Sequence, residues 1–351
     1  MAPYLDPLSA ALAKQFAAQP PIENLSVEEF RAVFDTLQNV ETPITGVTRT
    51  SFTVPFEGGV KVFVFKADDL VDAEKLGVVL YLHGGGFIAG NVKSFDSICR
   101  DLALQTRQAV VFVEYTLAPE AKWPTQQEQC YAVLKWVKQN GAKKGLDGHR
   151  VAVVGDSAGG QLSVATTILA STRSPKIPIR YQVLLHPLVD TRLSDRETPS
   201  EVQFFDGPLL TVPFIKKSIA LYIPSADDRD SELATPLTIS AAHAKLQPPT
   251  LIVNSAVDPL KSEGNAYGEI LQLNGVDCAV ITTHGQVHDS EVIEATRRGP
   301  TPRAIVRMVA GLVVEALEEK AVEARKRKVE DKKETNGNGE AATRKKRRTR
   351  S

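Results

Sequence analysis

The chain has 351 residues, 42% of them hydrophobic and 24% charged, which excludes wholly disordered and disulfide-stapled classes and allows a large core without a structural metal. Its three cysteines, Cys99, Cys130 and Cys278, lie far apart and match neither a disulfide framework nor zinc-ligand spacing. The net charge of zero hides an asymmetry: residues 321–351 hold twelve Lys/Arg and five Asp/Glu, leaving 30 basic and 37 acidic residues before them, so an acidic globule carries a basic tail.

The stretch from Met1 to Gln19 lacks a basic start followed by an apolar run, and no apolar segment reaches the roughly 18 residues that span a bilayer. The expectation is therefore an intracellular protein, neither secreted nor membrane-spanning. Residues 1–45 read as short helical pieces, with Ser26-Val27-Glu28-Glu29-Phe30 forming a helix start with an acidic first turn. Two β-rich runs, Val47–Pro55 and Val60–Phe65, flank Gly58-Gly59 and predict a hairpin.

From Gly77 the pattern changes to short, fully apolar runs alternating with longer amphipathic ones. Val78–Leu82, Ala109–Val113, Val151–Val154, Tyr181–Leu185 and Leu251–Val253 read as buried strands. Ser97–Thr106, Gln126–Asn140, Ala158–Ala170 and Glu263–Asn274 have helical spacing. The pattern predicts an α/β fold, a mostly parallel central sheet flanked by helices, over residues 46–320.

Residues 190–245 exceed what a single crossover needs, and they carry Phe204, Phe205, Phe214 and Tyr222 among turn formers. With the N-terminal helices they are expected to form a helical cap over the carboxyl edge of the sheet, a purely structural appendage being the plainer alternative. The tail, 321–351, is too polar to offset chain entropy and is expected to be disordered. Its clusters 325–328 and 344–348 have the form of a bipartite nuclear-localisation signal, which would bind importin or anionic polymers. A solvated appendage is the alternative. No specific nucleic-acid partner is expected.

Gly155-Asp156-Ser157-Ala158-Gly159 has the form GxSxG and stands between a strand and a helix, the setting of a nucleophile elbow. His83-Gly84-Gly85-Gly86-Phe87 directly follows the strand Val78–Leu82 and can expose backbone N–H groups to a ligand. The oxyanion donors expected from these two motifs are Gly84, Gly85 and Ala158, with His83, Gly86 and Asp156 as motif support. Neither motif fits a Walker loop or a dinucleotide fingerprint. Asp258 follows the strand Leu251–Val253. After it come His284 and His288, of which His288, further out in the loop, is the better placed base. His186 precedes Asp258 and so is expected to line the pocket or play a structural part. Ser157 as nucleophile, His288 as base and Asp258 as orienting acid complete the set; no cofactor or metal is implied.

Taken together, His83–Phe87 with Gly90, Tyr115–Glu120, Gly155–Gly160, Asp258-Pro259-Leu260 with Glu263-Gly264, and Gly285 with His288 resemble the hormone-sensitive-lipase-like family of α/β-hydrolases. The resemblance covers roughly residues 75–310. It implies the same triad and oxyanion donors, and a serine esterase acting on a small or medium-sized ester through an acyl-enzyme. The sequence departs from the family's pattern at Gln161, Ser262 and Asp289-Ser290, the last pair standing where Gly-Phe is usual. A lactonase, deacetylase or acyltransferase would use the same residues, and a non-catalytic small-molecule receptor is the alternative of another class. A homodimer is compatible with all of these.

Overall fold

The computed structural model describes residues 3–38, 44–73, 75–193 and 198–318; the basic tail, on which the nuclear-targeting and disorder expectations fall, lies outside the described residues. Two helices come first, α1 (Pro7–Ala17) and α2 (Val27–Leu37). Asp6 caps α1 by accepting from Leu8 and Ser9 N–H, and Ser26 with Glu29 forms a reciprocal capping box on α2. The strands β1 (Val47–Val54) and β2 (Val60–Ala67) pair antiparallel as the predicted hairpin.

The alternating core follows: β3 (Leu76–Leu82), α3 (Asp96–Thr106), β4 (Ala109–Glu114), α4 (Thr125–Asn140), β5 (Leu146–Asp156), α5 (Ala158–Thr172) and β6 (Tyr181–Leu185). Residues 198–245 contain α6 (Pro199–Gln203), α7 (Val212–Tyr222) and α8 (Ala241–Ala244). Then come β7 (Thr250–Val257), α9 (Lys261–Leu273), β8 (Cys278–Val287), α10 (Glu294–Arg297) and α11 over 300–318.

All eight strands form one sheet in the order β1-β2-β4-β3-β5-β6-β7-β8, parallel from β4 to β8. Its central strands are apolar on both faces because both faces are covered. Val78, Leu80 and Leu82 pack into one layer with Cys130, Leu134 and Leu162 of α4 and α5. Val79 and Tyr81 pack into the other with Ile98 and Leu102 of α3 and Val309 and Val313 of α11. This is the α/β-hydrolase arrangement that the run of short apolar segments predicts.

The N-terminal helices are tied to the carboxyl edge by specific contacts. Arg31 of α2 donates to the Ile88 and Ala118 carbonyls and grips the Glu120 carboxylate with two nitrogens at 2.8 Å each. That grip holds the Glu120 pKa down to about 2. Phe30 of α2 packs on Phe214 of α7 at 4.4 Å between ring centroids, and Lys217 of α7 donates to the carbonyls of Glu23 and Leu25. The N-terminal helices thus meet both the loops after β3 and β4 and the mid-chain helix α7.

Candidate active site

Ser157 stands between β5 and α5 at φ 52°, ψ −120°, a conformation that costs a non-glycine residue energy. Its backbone is held on both sides: its N–H donates to the Leu185 carbonyl at 2.8 Å, and its own carbonyl accepts from Gly160 and Leu188 N–H. The glycine two positions on is required by packing. A Cβ on Gly159 would sit 1.9 Å from the Leu82 carbonyl oxygen, so α5 can run this close to β3 only with hydrogen at that position.

Asp258 and His288 are brought together by strand register. Val257 pairs with Val287 at the ends of β7 and β8, after a register shift that follows Ser255, and each site residue is the first one past its strand. Ser255 Oγ donates to the Val287 carbonyl at 2.7 Å and fastens the two strand ends. His288 Nδ1 lies 2.7 Å from Asp258 Oδ2, and His288 Nε2 lies 2.9 Å from Ser157 Oγ. Asp258 Oδ1 meanwhile accepts from Leu260 N–H at 2.9 Å, so the helix-start role and the histidine contact coexist in one side chain. All three side chains are buried, Asp258 most of all.

His284 lies elsewhere, within β8 rather than in the loop beyond it, exposed and stacked on Tyr4 at 4.8 Å. His186, at the end of β6, is fully buried; its Nε2 meets Glu291 Oε2 at 2.6 Å and its ring stands edge-on to His288 at 5.7 Å. Burial pulls the His186 pKa down, but Glu291 and Asp289 outweigh it and raise it. For His288 burial again lowers, while Asp258, Asp289 and Asp156 raise, to about 9.

The glycine loop corrects one expectation. Gly84 N–H donates to Asp156 Oδ2 at 2.9 Å, inside the protein, so it does not face a substrate. Asp156 spends its other oxygen on the Tyr81 hydroxyl at 2.7 Å. Gly85 (φ 97°) and Gly86 (φ 62°) turn outward instead, and both line the cavity beside Ser157. Among the described residues no protein acceptor pairs with their N–H groups. His83 supports the loop from beneath: its ring stacks on Tyr115 at 4.1 Å and on Phe112 at 5.1 Å. The Tyr115 hydroxyl donates to the His83 carbonyl at 2.8 Å. Burial lowers the His83 pKa to about 4, which leaves the ring neutral.

The cavity above Ser157 provides about 70 Å³ of water-accessible space. Its walls are Phe16 of α1, Phe30, Phe34 and Leu37 of α2, Phe214 of α7, and Val292 and Ile293, with Asp289 beside His288. Phe214 was visible in the sequence as part of an aromatic insertion. Phe16, Phe30 and Phe34 were not, because apolar residues on a short amphipathic helix read the same whether they face a core or a cavity. Deeper in, the Gln127 side-chain amide donates to the Tyr222 hydroxyl, and that of Gln161, a departure noted above, donates to the Leu233 and Ala234 carbonyls, tying α5 to the inserted segment.

Comparison with known proteins gives a consistent result. A family model described as alpha/beta hydrolase fold matches residues 79–291. An esterase of Gibberella moniliformis is 38% identical over 254 residues, covering 72% of this chain and 79% of that protein. A carboxylesterase of Mycobacterium tuberculosis is 35% identical over 236 residues, covering 64% of this chain and 72% of its own. The crystal structure of a thermostable esterase from Pseudomonas putida superposes with a TM-score of 0.85 at 30% identity, over 90% of this chain and 99% of that one.

Proposed function

Because the chain belongs to the hormone-sensitive-lipase-like family of α/β-hydrolases and is a carboxylic ester hydrolase, we propose that it acts through an acyl-enzyme on Ser157 and takes short-chain esters. The observation that carries this reading is the unbroken relay from Ser157 Oγ through His288 to Asp258 at the floor of an apolar cavity.

In the proposed mechanism His288 Nε2 takes the serine proton as Oγ attacks the ester carbonyl. Asp258 holds the imidazole in place and stabilises its charged form. Negative charge collects on the carbonyl oxygen, for which we assign the N–H groups of Gly85, Gly86 and Ala158 as donors. Ala158 is the first residue of α5, where N–H groups have no intrahelical acceptor and the helix dipole favours an anion. His288 then returns the proton to the departing alcohol, and water attacks the acyl-enzyme by the reverse sequence. The N-terminal helices and residues 198–245 serve as the cap, supported by their side chains in the cavity wall.

Cavity size supports small acyl groups. About 70 Å³ above Ser157 is open to water-sized solvent, narrow for a long acyl chain. Turnover of p-nitrophenyl acetate and butyrate is expected to exceed that of the octanoate by about tenfold or more. A fluorophosphonate should label Ser157. A folded protein that neither turns over these esters nor takes the label would overturn the reading.

The sign of the pH dependence follows from His288. The base must be neutral to accept a proton, and although burial pulls His288 down, Asp258, Asp289 and Asp156 push it up to about 9. Below that pH the imidazole is protonated and idle, so kcat/KM should rise as pH rises through about 9 rather than near 6.5. An acid limb centred near 6.5 would show that the surrounding carboxylates do not act on this histidine in solution.

A further inference from the structure

The residue after His288 brings a carboxyl group into a cavity walled mostly by hydrocarbon, Gln38 being the other polar side chain besides Ser157 and His288. Asp289 stands at φ 55°, left-handed for a residue with a Cβ, and its side chain is 11% exposed. Among the described residues that line the cavity it is the only acidic one. Its Oδ2 lies 3.4 Å from His288 Nε2, the nitrogen that faces Ser157. Its Oδ1 is buried and has no hydrogen-bond partner among the described residues. That oxygen is closed to solvent, so Oδ2, the oxygen nearer His288 Nε2, is the one left to accept from a substrate.

Position decides which half of an ester would bring it. In acyl transfer the histidine Nε2 delivers its proton to the oxygen of the departing alcohol. A carboxylate beside that nitrogen therefore borders the alcohol half of the substrate, not the acyl half. We propose that Asp289 makes the site selective for esters whose alcohol carries a second hydroxyl on the carbon adjacent to the ester-bearing carbon, that is, monoesters of diols and polyols. This rests on the serine-esterase reading above. The second hydroxyl donates to Asp289 while the first leaves with the proton from His288. A neutral hydroxyl suits the place better than an ammonium group, which would be repelled by the imidazolium that forms at His288 in every turnover.

The test compares 2-hydroxyethyl acetate with propyl acetate, which have the same chain length and differ only in a terminal OH against CH₃. Acetate release by the wild type, Asp289→Leu and Asp289→Asn is followed at one pH, so that any change in His288 ionisation cancels in the ratio. Hydrophobic transfer alone would favour the propyl ester in so apolar a cavity. The wild type is expected instead to prefer the hydroxyethyl ester by about tenfold or more in kcat/KM, and the leucine variant to lose that preference. Asparagine, which keeps an acceptor without the charge, should fall between, and it carries the test if the leucine variant does not fold. A wild-type ratio near or below one overturns the proposal. So does a variant in which both rates drop by the same factor, since Asp289 then acts only through His288. Failure of the esterase reading is distinct: it would appear as wild-type protein inactive on p-nitrophenyl acetate and unlabelled by the phosphonate.

Discussion

Ser157→Ala is expected to lower the turnover of p-nitrophenyl acetate by roughly 10⁵–10⁶-fold while leaving the melting temperature within a degree or so of the wild type. The methyl group fits where the hydroxyl was, and among the described residues the hydroxyl bonds to His288 alone, so little packing is lost. What disappears is the covalent step. His288, Asp258 and the N–H donors remain, and together they can still favour attack by water, which sets a residual rate above the uncatalysed one. The measurement is kcat for purified wild type and variant, with burst-phase p-nitrophenol counting active sites. A variant retaining more than about a hundredth of the wild-type kcat, well above what such a residual rate permits, would mean that the nucleophile is another group.

Gly159→Ala should be the most damaging glycine-to-alanine change among the described residues. The added Cβ would lie 1.9 Å from the Leu82 carbonyl oxygen and 2.6 Å from its carbon, both backbone atoms of a central strand that cannot swing away. Either α5 moves off β3 or the elbow opens. The cost is expected to be about 3 kcal/mol, read as a fall in melting temperature of about 6 °C for a domain of this size. Activity should fall further than stability does, because displacement of α5 shifts the Ala158 N–H and Ser157 together, and small misplacements at a reacting centre cost about 10²-fold. Gly311→Ala is the matching control. It sits on α11, where an added Cβ meets nothing within 4 Å, so alanine's better helix propensity should stabilise by about 0.5–1 kcal/mol. If both variants melt together, the tight approach of α5 to β3 is not what fixes that glycine.

Much of this architecture is determined by the sequence taken alone, because the signals involved are local. A run such as Val78–Leu82, five β-branched and apolar residues ending at a glycine loop, reads as a strand buried on both faces, and it becomes part of β3 with its residues alternating between the two core layers. The GxSxG turn and the three-glycine loop are legible for the same reason: the steric demand of each acts on its own few residues. The chain order of Ser157, Asp258 and His288 could likewise be written down before any coordinates.

Tertiary structure decided what depends on partners far along the chain. Three adjacent glycines look alike as donors, yet Gly84 is withdrawn by Asp156, 72 residues away, while Gly85 and Gly86 face the cavity. Nothing near Leu185-His186-Pro187 announces that His186 meets Glu291, 105 residues on, beside His288. Asp258 and His288 adjoin because of a register between β7 and β8 that includes a shift, and a shift of pairing has no local sequence signature. The departure at Asp289 could be seen in the sequence, but whether its carboxylate faced solvent or Ser157 could not. Hydrogen-bond partners are chosen by the packing of whole elements, and that choice, more than any motif, defines what this site can recognise.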